Sequence, residues 1–278
     1  MIGVKIIALD LDDTLFRSDL SISKRTRNIV RKVMQSGITV VIATGRMPDG
    51  LLNADKLLGL NKTPGYLICG NGTLTIDSIA KTIINKAMLS PRVALAAFDL
   101  IDAEGFSVQI YDGNHIYVSR RNEFSNADYK LTGKKQIVPK DFRALLAEKG
   151  TNKIVVPADP VLLGPLEEIL RNVMDSAITL FTSKPYFLEI LPPACDKGAA
   201  LARVAESIGV KREEVMAFGD SMNDESMLRW AGYGVAMCNG DERIKKAARF
   251  VTEKSNDDDG IAEFIERYVL AGEPLGAH

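Results

Sequence analysis

Short apolar runs alternate with amphipathic segments along the first 70 residues. Ile6–Leu9, Ile38–Ala43 and Tyr66–Cys69 are continuous apolar runs, which is typical of strands buried on both faces. Apolar residues recur at helical spacing over residues 23–35, and a second helix is predicted over residues 47–58. Alternation of strands and helices predicts parallel pairing with right-handed crossovers, and therefore a doubly wound α/β sheet.

The middle third has a different pattern, in which short apolar stretches pair as antiparallel hairpins with helices between them. Strands are predicted over residues 73–76, 82–85, 106–111, 116–119, 153–156, 178–182 and 187–191, and helices after Pro91, near 142–148 and over 160–174. We therefore predict an inserted α+β domain over residues 84–191. Residues 1–83 and 192–278 would form the α/β core.

The first pattern resumes after Pro192-Pro193. Helices are predicted over residues 196–208, 222–230, 242–248 and 261–270, and strands over 215–220, 234–237 and 250–252. The acidic run Asp257–Asp259 is expected to cap the last helix. No internal repeat or low-complexity segment interrupts these elements.

Carboxylates follow two of the predicted core strands directly. Asp10 and Asp12 come after the first strand, Asp220 ends the strand predicted over residues 215–220, and Asp224 follows it. Asp10 and Asp12 are two residues apart, so in an extended chain both would point the same way and invite a hard cation such as Mg²⁺. The alternative for each pair is an acidic turn or a helix start.

Donors for an anion are predicted at the same edge of the sheet, because ligands of open α/β sheets bind at the carboxyl ends of strands. Thr44 and the amide of Gly45 follow the second strand, and Lys197 opens a helix. One cation, one ammonium and several donors facing two carboxylates is the equipment that phosphoryl transfer requires. Taken singly, Lys197 would be a solvated side chain, and Arg46 a surface charge.

Composition excludes several other functions. The formal net charge is −1, with 46% hydrophobic and 26% charged residues, so no global field favours nucleic acid or anionic lipid. No apolar stretch reaches the length of a membrane helix, and no signal peptide is expected. Two histidines and three cysteines without a C-x-x-C spacing argue against His-based or zinc chemistry. Cys69, Cys195 and Cys238 are predicted to be reduced, buried or half-buried side chains in a cytoplasmic protein.

Four ordered motifs resemble those of the haloacid dehalogenase superfamily. They are Asp10-Leu11-Asp12-Asp13-Thr14, Thr44-Gly45-Arg46, Lys197-Gly198 and Gly219-Asp220-Ser221-Met222-Asn223-Asp224. The insert is similar to the large cap of the Cof-type phosphatase branch, and so are Asn71-Gly72 and the segment from Asn256 to Gly260. Asp13 stands where many relatives have glycine. The resemblance implies a Rossmann-like core whose cap domain closes over the active site and selects the substrate.

The resemblance also implies individual roles. Asp10 would be the nucleophile and Asp12 the general acid and base, a ranking that composition alone leaves open. Phosphate would be bound by Leu11, Thr44, Gly45, Arg46, Lys197 and Asn223. Mg²⁺ would be bound by Asp10, the main-chain carbonyl of Asp12, and Asp220, with Asp224 supporting them.

The function so implied is a Mg²⁺-dependent phosphatase that acts on a small phosphorylated metabolite through an aspartyl-phosphate. Two alternatives stay open: a phosphomutase of the same superfamily, and a non-catalytic binding protein. The second is disfavoured because no nucleophile, lysine or metal acid is lost. Neither a nucleic-acid nor a membrane partner is expected, and the sequence predicts no oligomeric state.

Overall fold

The computed structural model describes residues 3–275 except 52 and 114. Its residues form two compact units, one of Met1–Lys86 with Asp196–His278 and the other of Ala87–Cys195. The first unit carries every side chain of the four sequence motifs.

The described residues of the first unit form eight strands and six α-helices. Its strands are β1 (Ile6–Leu9), β2 (Thr39–Ala43), β3 (Gly65–Cys69), β4 (Leu74–Asp77), β5 (Ile83–Lys86), and, after the insert, β12 (Val215–Gly219), β13 (Tyr233–Ala236) and β14 (Phe250–Val251). Its helices are α1 (Lys24–Gln35), α2 (Ala54–Leu58), α7 (Lys197–Ser207), α8 (Glu225–Trp230), α9 (Glu242–Ala247) and α10 (Gly260–Phe264), the last continued by a π-helical turn over Ile265–Leu270.

These strands form one sheet in the order β14-β13-β12-β1-β2-β3-β4-β5. Pairing is parallel from β14 to β3, and β4 and β5 extend the sheet as an antiparallel edge. Strand β1 lies between β12 and β2, with Leu9 level with Phe218 and Ile42. The segments after these three strands therefore emerge side by side, and the predicted doubly wound α/β fold is confirmed.

Apolar layers cover both faces of this sheet, because β1, β2 and β12 are buried at almost every position. On one face Ile7, Leu9 and Phe218 pack with Val30 and Phe264. The other face is covered by α7 and α8, and its buried side chains include Ile6, Ala8, Val41, Leu201 and Met227. Burial of this apolar surface is the main source of stability for the unit, at about 25 cal/mol per Å².

In the second unit, six strands and four α-helices are found in the part of the chain that the structure describes. Its elements are α3 (Pro91–Ala103), β6 (Gln109–Asp112), β7 (His115–Val118), α4 (Glu123–Thr132), β8 (Lys135–Ile137), α5 (Phe142–Lys149), β9 (Ile154–Pro157), α6 (Pro160–Met174), β10 (Thr179–Lys184) and β11 (Phe187–Leu191). The sheet order is β10-β11-β9-β6-β7-β8, antiparallel except for the β7–β8 pair. The prediction of an α+β domain with hairpin strands describes this unit, but it omitted α4 and β8.

Two local predictions were wrong, and one predicted helix differs only in its geometry. The helix predicted over residues 47–58 is a 3₁₀ turn over Pro48–Gly50 followed by the short α2, because Asn53 is left-handed with φ of 62° and interrupts it; Leu52 lies outside the described residues. The last helix changes to a π-helical turn at Ile265. Asp257–Asp259 do not cap that helix: Asp259 precedes it with φ of 64° and no capping hydrogen bond.

Candidate active site

The loop after β1 makes a sharp turn that presents Asp10 and Asp12. Asp10 and Asp12 have extended backbone, whereas Asp13 is left-handed with φ of 58° and ψ of 9°. Asp and Asn tolerate that region better than most side chains, and glycine tolerates it best. Backbone bonds from Leu15 to the Asp10 carbonyl and from Phe16 to the Leu11 carbonyl close the turn.

Lys197 links two of the acids at the centre of the site. The ammonium is fully buried and donates to Oδ1 of Asp10 and to Oδ1 of Asp224, both at 2.6 Å. Helix α7 brings Lys197 there by packing closely on α8: a Cβ on Gly198 would lie 2.5 Å from the backbone of Ser226. A side chain larger than hydrogen at Gly198 would therefore push the lysine away from the acids.

Asp224 is positioned as a support rather than as a free carboxylate. Its Oδ2 accepts the amides of Asp220 and Ser221, while its Oδ1 accepts the Lys197 ammonium. A Cβ on Gly219 would stand 2.5 Å from the side chain of Asp224, so glycine is needed for this close approach.

Asp10 and Asp220 each keep one carboxylate oxygen available. Oδ1 of Asp220 accepts the hydroxyl of Thr14 at 2.8 Å, and Oδ1 of Asp10 accepts Lys197. No residue in the described part of the chain donates to Oδ2 of either acid. Oxygens of Asp10, Asp220 and Asp224 come within 4.8 Å of one another, which is compact enough for a shared cation. Because both Asp224 oxygens already accept hydrogen bonds, Asp10 and Asp220 are the better candidates for ligands.

Burial dominates the electrostatics here. It raises the pKa of Asp10 well above its usual value, against the lowering effect of the Lys197 ammonium. Burial also raises the pKa of Asp220 to about 7, with Asp224 acting in the same direction and the hydrogen bond from Thr14 opposing it. Burial would lower the pKa of Lys197, but its two carboxylate partners outweigh that effect and the pKa is raised. The lysine is therefore charged.

The residues present fit a divalent cation. Three carboxylates face one ammonium, so their full ionisation would leave two excess negative charges in a buried site. Two carboxylate oxygens that accept no hydrogen bond are the kind of donor that Mg²⁺ uses together with water. A cation would favour the ionised acids.

Arg46 holds the side chain of Asp12. Its Nε donates to Oδ2 and its Nη2 to Oδ1 of Asp12, at 2.8 and 2.7 Å, and its Nη1 donates to the Gly50 carbonyl. This two-pronged contact fixes the orientation of the carboxylate more strictly than a single bond would. Arg46 is thus not the surface charge that it would be in isolation; its contact with phosphate stays a prediction.

Polar groups after β2, β3 and β12 lie beside these acids. The hydroxyl oxygen of Thr44 accepts the amide of Arg46 at 3.1 Å, so its own O–H can serve as a donor. Asn223 is oriented at both ends of its amide: Oδ1 accepts the Ser221 hydroxyl, and Nδ2 donates to Oδ1 of Asn71 at 3.0 Å. The second N–H of Nδ2 can therefore donate elsewhere.

The structure gives contacts to four residues for which the sequence suggested no role. Thr14, Asn71 and Ser221 lay inside quoted motifs, and Asn239 lay outside them. A threonine two positions after the second acid was the only signal for Thr14. Asn71 and Asn239 could not be identified from local sequence spacing, because the residues that they contact are distant in the sequence.

The remaining predicted positions are accounted for as follows. Leu11 is fully buried at the start of the turn, and a Cβ on Gly45 would stand 3.1 Å from the amide of Asn71. Cys69 and Cys195 are buried and Cys238 is half-buried, as predicted. No helix within the described residues combines the length and the apolar character needed to span a bilayer.

Comparison with known proteins agrees with this geometry. The sequence of residues 7–265 matches the family model of the haloacid dehalogenase-like hydrolases. An HMP-PP phosphatase from Cronobacter sakazakii is 32% identical over 239 residues, with 84% of this chain and 83% of the relative covered. A 5-amino-6-(5-phospho-D-ribitylamino)uracil phosphatase from Bacillus subtilis is 29% identical, with 97% of each chain covered.

A solved structure shows the same relationship in three dimensions. A haloacid dehalogenase-like hydrolase from Bacteroides thetaiotaomicron superposes with a TM-score of 0.82 at 34% identity, covering 95% of this chain and 99% of that one. The resemblance inferred from the four motifs is confirmed. The chain belongs to the haloacid dehalogenase-like hydrolases, and within them it is a Cof-type phosphatase that hydrolyses phosphate esters.

Proposed function

We propose that the protein is a Mg²⁺-dependent phosphatase that releases phosphate from a small phosphorylated metabolite, through an aspartyl-phosphate on Asp10. The observation that carries the proposal is the buried contact of Lys197 with Asp10 and Asp224, next to Asp220. The names of the relatives support the substrate class, since one of them acts on a phosphorylated ribityl compound. We propose a sugar phosphate or a cofactor-type phosphate monoester.

In the first step a carboxylate oxygen of Asp10 would attack phosphorus, and the bond from phosphorus to the leaving oxygen would break. Asp12 would give its proton to that oxygen, since an alkoxide is a poor leaving group without it. In the second step Asp12 would take a proton from water as the water attacks phosphorus. The bond from phosphorus to Asp10 would then break, releasing inorganic phosphate and the free carboxylate.

The other side chains would hold the phosphoryl oxygens during both steps. Lys197, Thr44, Asn223 and the amides of Leu11 and Gly45 would donate to them, which neutralises charge in the transition state. The cation, held by Asp10, Asp220 and the Asp12 carbonyl, would supply electrostatic stabilisation of the transferring phosphoryl group. Asp224 would keep Lys197 and the loop after β12 in place.

A panel of phosphate esters tests the proposal directly. We expect phosphate release from small sugar phosphates or cofactor-type monoesters, and loss of that activity after exhaustive EDTA treatment. Added Mg²⁺ should restore it. Phosphate release should be measured with and without the metal, at equal protein concentration. Undiminished activity in EDTA would contradict the metal assignment, and a bisphosphate requirement with an isomerised product would indicate a mutase instead.

The raised pKa of Asp220 predicts how pH and metal act on stability. The pKa of Asp220 is about 7 in the folded protein and lies above the ordinary value of 3.8, so between these two pH values the folded protein binds a proton that the unfolded chain has lost. The free energy of unfolding of the metal-free protein should therefore fall as pH rises from about 4 through 7. Stabilisation by Mg²⁺ should grow over the same range, because ionised Asp220 is the form that binds metal.

Thermal unfolding at several pH values, in EDTA and in excess Mg²⁺, measures both effects. The matched control is Asp220→Asn, which cannot titrate: its metal-free stability should depend less on pH, and Mg²⁺ should stabilise it little. Equal stability of the metal-free wild type at about pH 5 and pH 8 would argue against the prediction.

A further inference from the structure

The acidic segment before α10 holds the chain that follows the catalytic loop. Asp257 accepts the amide and the hydroxyl of Ser18 at 2.9 and 2.7 Å. Asp259 accepts the guanidinium of Arg17 and the hydroxyl of Thr26, at 3.1 and 3.2 Å. These acids were expected to cap a helix. Instead they accept hydrogen bonds from residues more than 230 positions away in the sequence.

Two asparagines continue this attachment into the loop itself. Nδ2 of Asn239 donates to the carbonyl of Asp13 at 2.8 Å, and Nδ2 of Asn256 donates to the carbonyl of Phe16 at 2.9 Å. The two are joined, because the amide of Asn256 donates to Oδ1 of Asn239 at 3.1 Å. The turn carrying Asp12 is thus held by a hydrogen bond at Asp13, its left-handed residue, and by a second one at Phe16, three residues later.

Asn239 also connects the loop to the strand end that carries Asp220. The amides of Met237 and Asp241 donate to the carbonyls of Gly219 and Asp220, so the segment bearing Asn239 is tied to the end of β12. The segment bearing Asn239 packs closely against the end of β12, since a Cβ on Gly240 would lie 2.7 Å from the Asp220 carbonyl oxygen. Displacement of the loop after β1 relative to β12 must therefore break the contact of Asn239 with Asp13.

A contact at this carbonyl matters because the turn is unusual. With Asp13 left-handed, rotation of the peptide after it would turn the backbone of Asp12 and redirect its carboxylate. Arg46 fixes the end of that side chain, but not the peptide that carries it. An error of about 1 Å in a reacting group is enough to reduce turnover by roughly a hundredfold.

We propose that Asn239 and Asn256 form a clamp that positions the loop of Asp12 for proton transfer to the leaving group. They are positioning residues and do not contact substrate. The proposal rests on the role of Asp12 as general acid put forward above. It predicts a particular kinetic defect in the first step, formation of the phosphoenzyme, because in that step only leaving groups that need a proton depend on the placement of Asp12.

The test compares p-nitrophenyl phosphate, whose leaving group needs little protonation, with a sugar phosphate that the wild type hydrolyses. Asn239→Asp removes the donor to the Asp13 carbonyl and keeps the acceptor for Asn256. We expect kcat/KM for the sugar phosphate to fall roughly ten- to a hundredfold and kcat/KM for p-nitrophenyl phosphate to fall much less. The ratio kcat/KM is compared because it reports transfer of the phosphoryl group to Asp10, whereas kcat also contains the second step, in which Asp12 acts for both substrates. Asn256→Asp should show the same split.

Two further variants separate the lost bond from the added charge. Asn239→Ala removes both bonds without adding charge and should show the split as well, whereas the exposed Asn61→Asp adds the charge without touching the loop and should leave both rates unchanged. Asn239 is exposed, so the two Asn239 variants should remain folded, and their melting temperatures verify this. An equal loss of kcat/KM with both substrates, or a difference between the substrates in Asn239→Asp that Asn239→Ala lacks, would overturn the clamp.

Asp12→Asn serves as the reference for the general acid. It should show the largest difference between the two substrates. If it shows none, the role of Asp12 is wrong and the clamp falls with it. If Asp12→Asn shows the difference and the asparagine variants do not, the clamp alone is wrong and the proposed function stands.

Discussion

Asp10→Asn is expected to lower kcat by roughly three to five orders of magnitude, because an amide cannot attack phosphorus and form the covalent intermediate. The residue otherwise keeps its shape, and its Oδ1 can still accept a hydrogen bond from Lys197. Loss of activity should therefore come without loss of structure. Phosphate release with excess enzyme and a sensitive assay would measure the residual rate.

The same variant makes a separate prediction about stability. Burial raises the pKa of Asp10, so its charge is unfavourable in the metal-free fold and its removal relieves that cost. The melting temperature of metal-free Asp10→Asn should equal or exceed that of the wild type at about pH 8. Stabilisation by Mg²⁺ should decrease at the same time, because one proposed ligand loses its charge.

Asp19→Asn is a matched control at an exposed position nine residues further along the chain. We expect it to change neither kcat nor the effect of Mg²⁺ on stability. Acid-quenched wild-type enzyme, digested and weighed by mass spectrometry, should carry a phosphoryl group on the peptide that contains Asp10. Activity of Asp10→Asn within about tenfold of wild type would exclude this residue as the nucleophile.

The fold of the core could be predicted because its signals are local. Continuous apolar runs identify β1, β2, β3 and β12, and parallel strands place their carboxyl ends at one edge. Asp10, Thr44 and Asp220 follow three of these strands, so their proximity followed from strand order alone. Lys197 needed the resemblance to a family, since a lysine at a helix start is usually solvated.

The elements that were missed depend on contacts that no local pattern contains. Asp257–Asp259 resemble a helix cap in every local respect, but their partners are Ser18 and Arg17, so tertiary contacts decided their role. Asn239 lies 226 positions from the loop that it contacts. Helix α4, in contrast, had a usable signal: Asn122 and Ser125 form a capping box, with serine in place of the usual glutamate or glutamine.

Lys197→Met is expected to have the largest effect on stability. The fully buried ammonium is the shared partner of Asp10 and Asp224, and its removal leaves two buried carboxylates without that charge. Breaking a buried pair in this way typically costs about 3–5 kcal/mol in the free energy of unfolding. Turnover should fall as well, because a donor to the phosphoryl oxygens is lost. Urea denaturation and steady-state kinetics measure the two effects, with the exposed Lys246→Met as control.

The physical cause can be isolated with a second substitution. In Lys197→Met with Asp224→Asn, one of the two uncompensated carboxylates is gone, so the double variant should regain part of the stability that the single variant lost. It should regain no activity, because the donor is still absent. The loss in the single variant should also be larger at about pH 8 than at pH 5, where the carboxylates can take up protons. A loss of stability that is independent of pH and unchanged by Asp224→Asn would point to altered packing around the methionine. Charge balance in the site would then not explain why this lysine is buried.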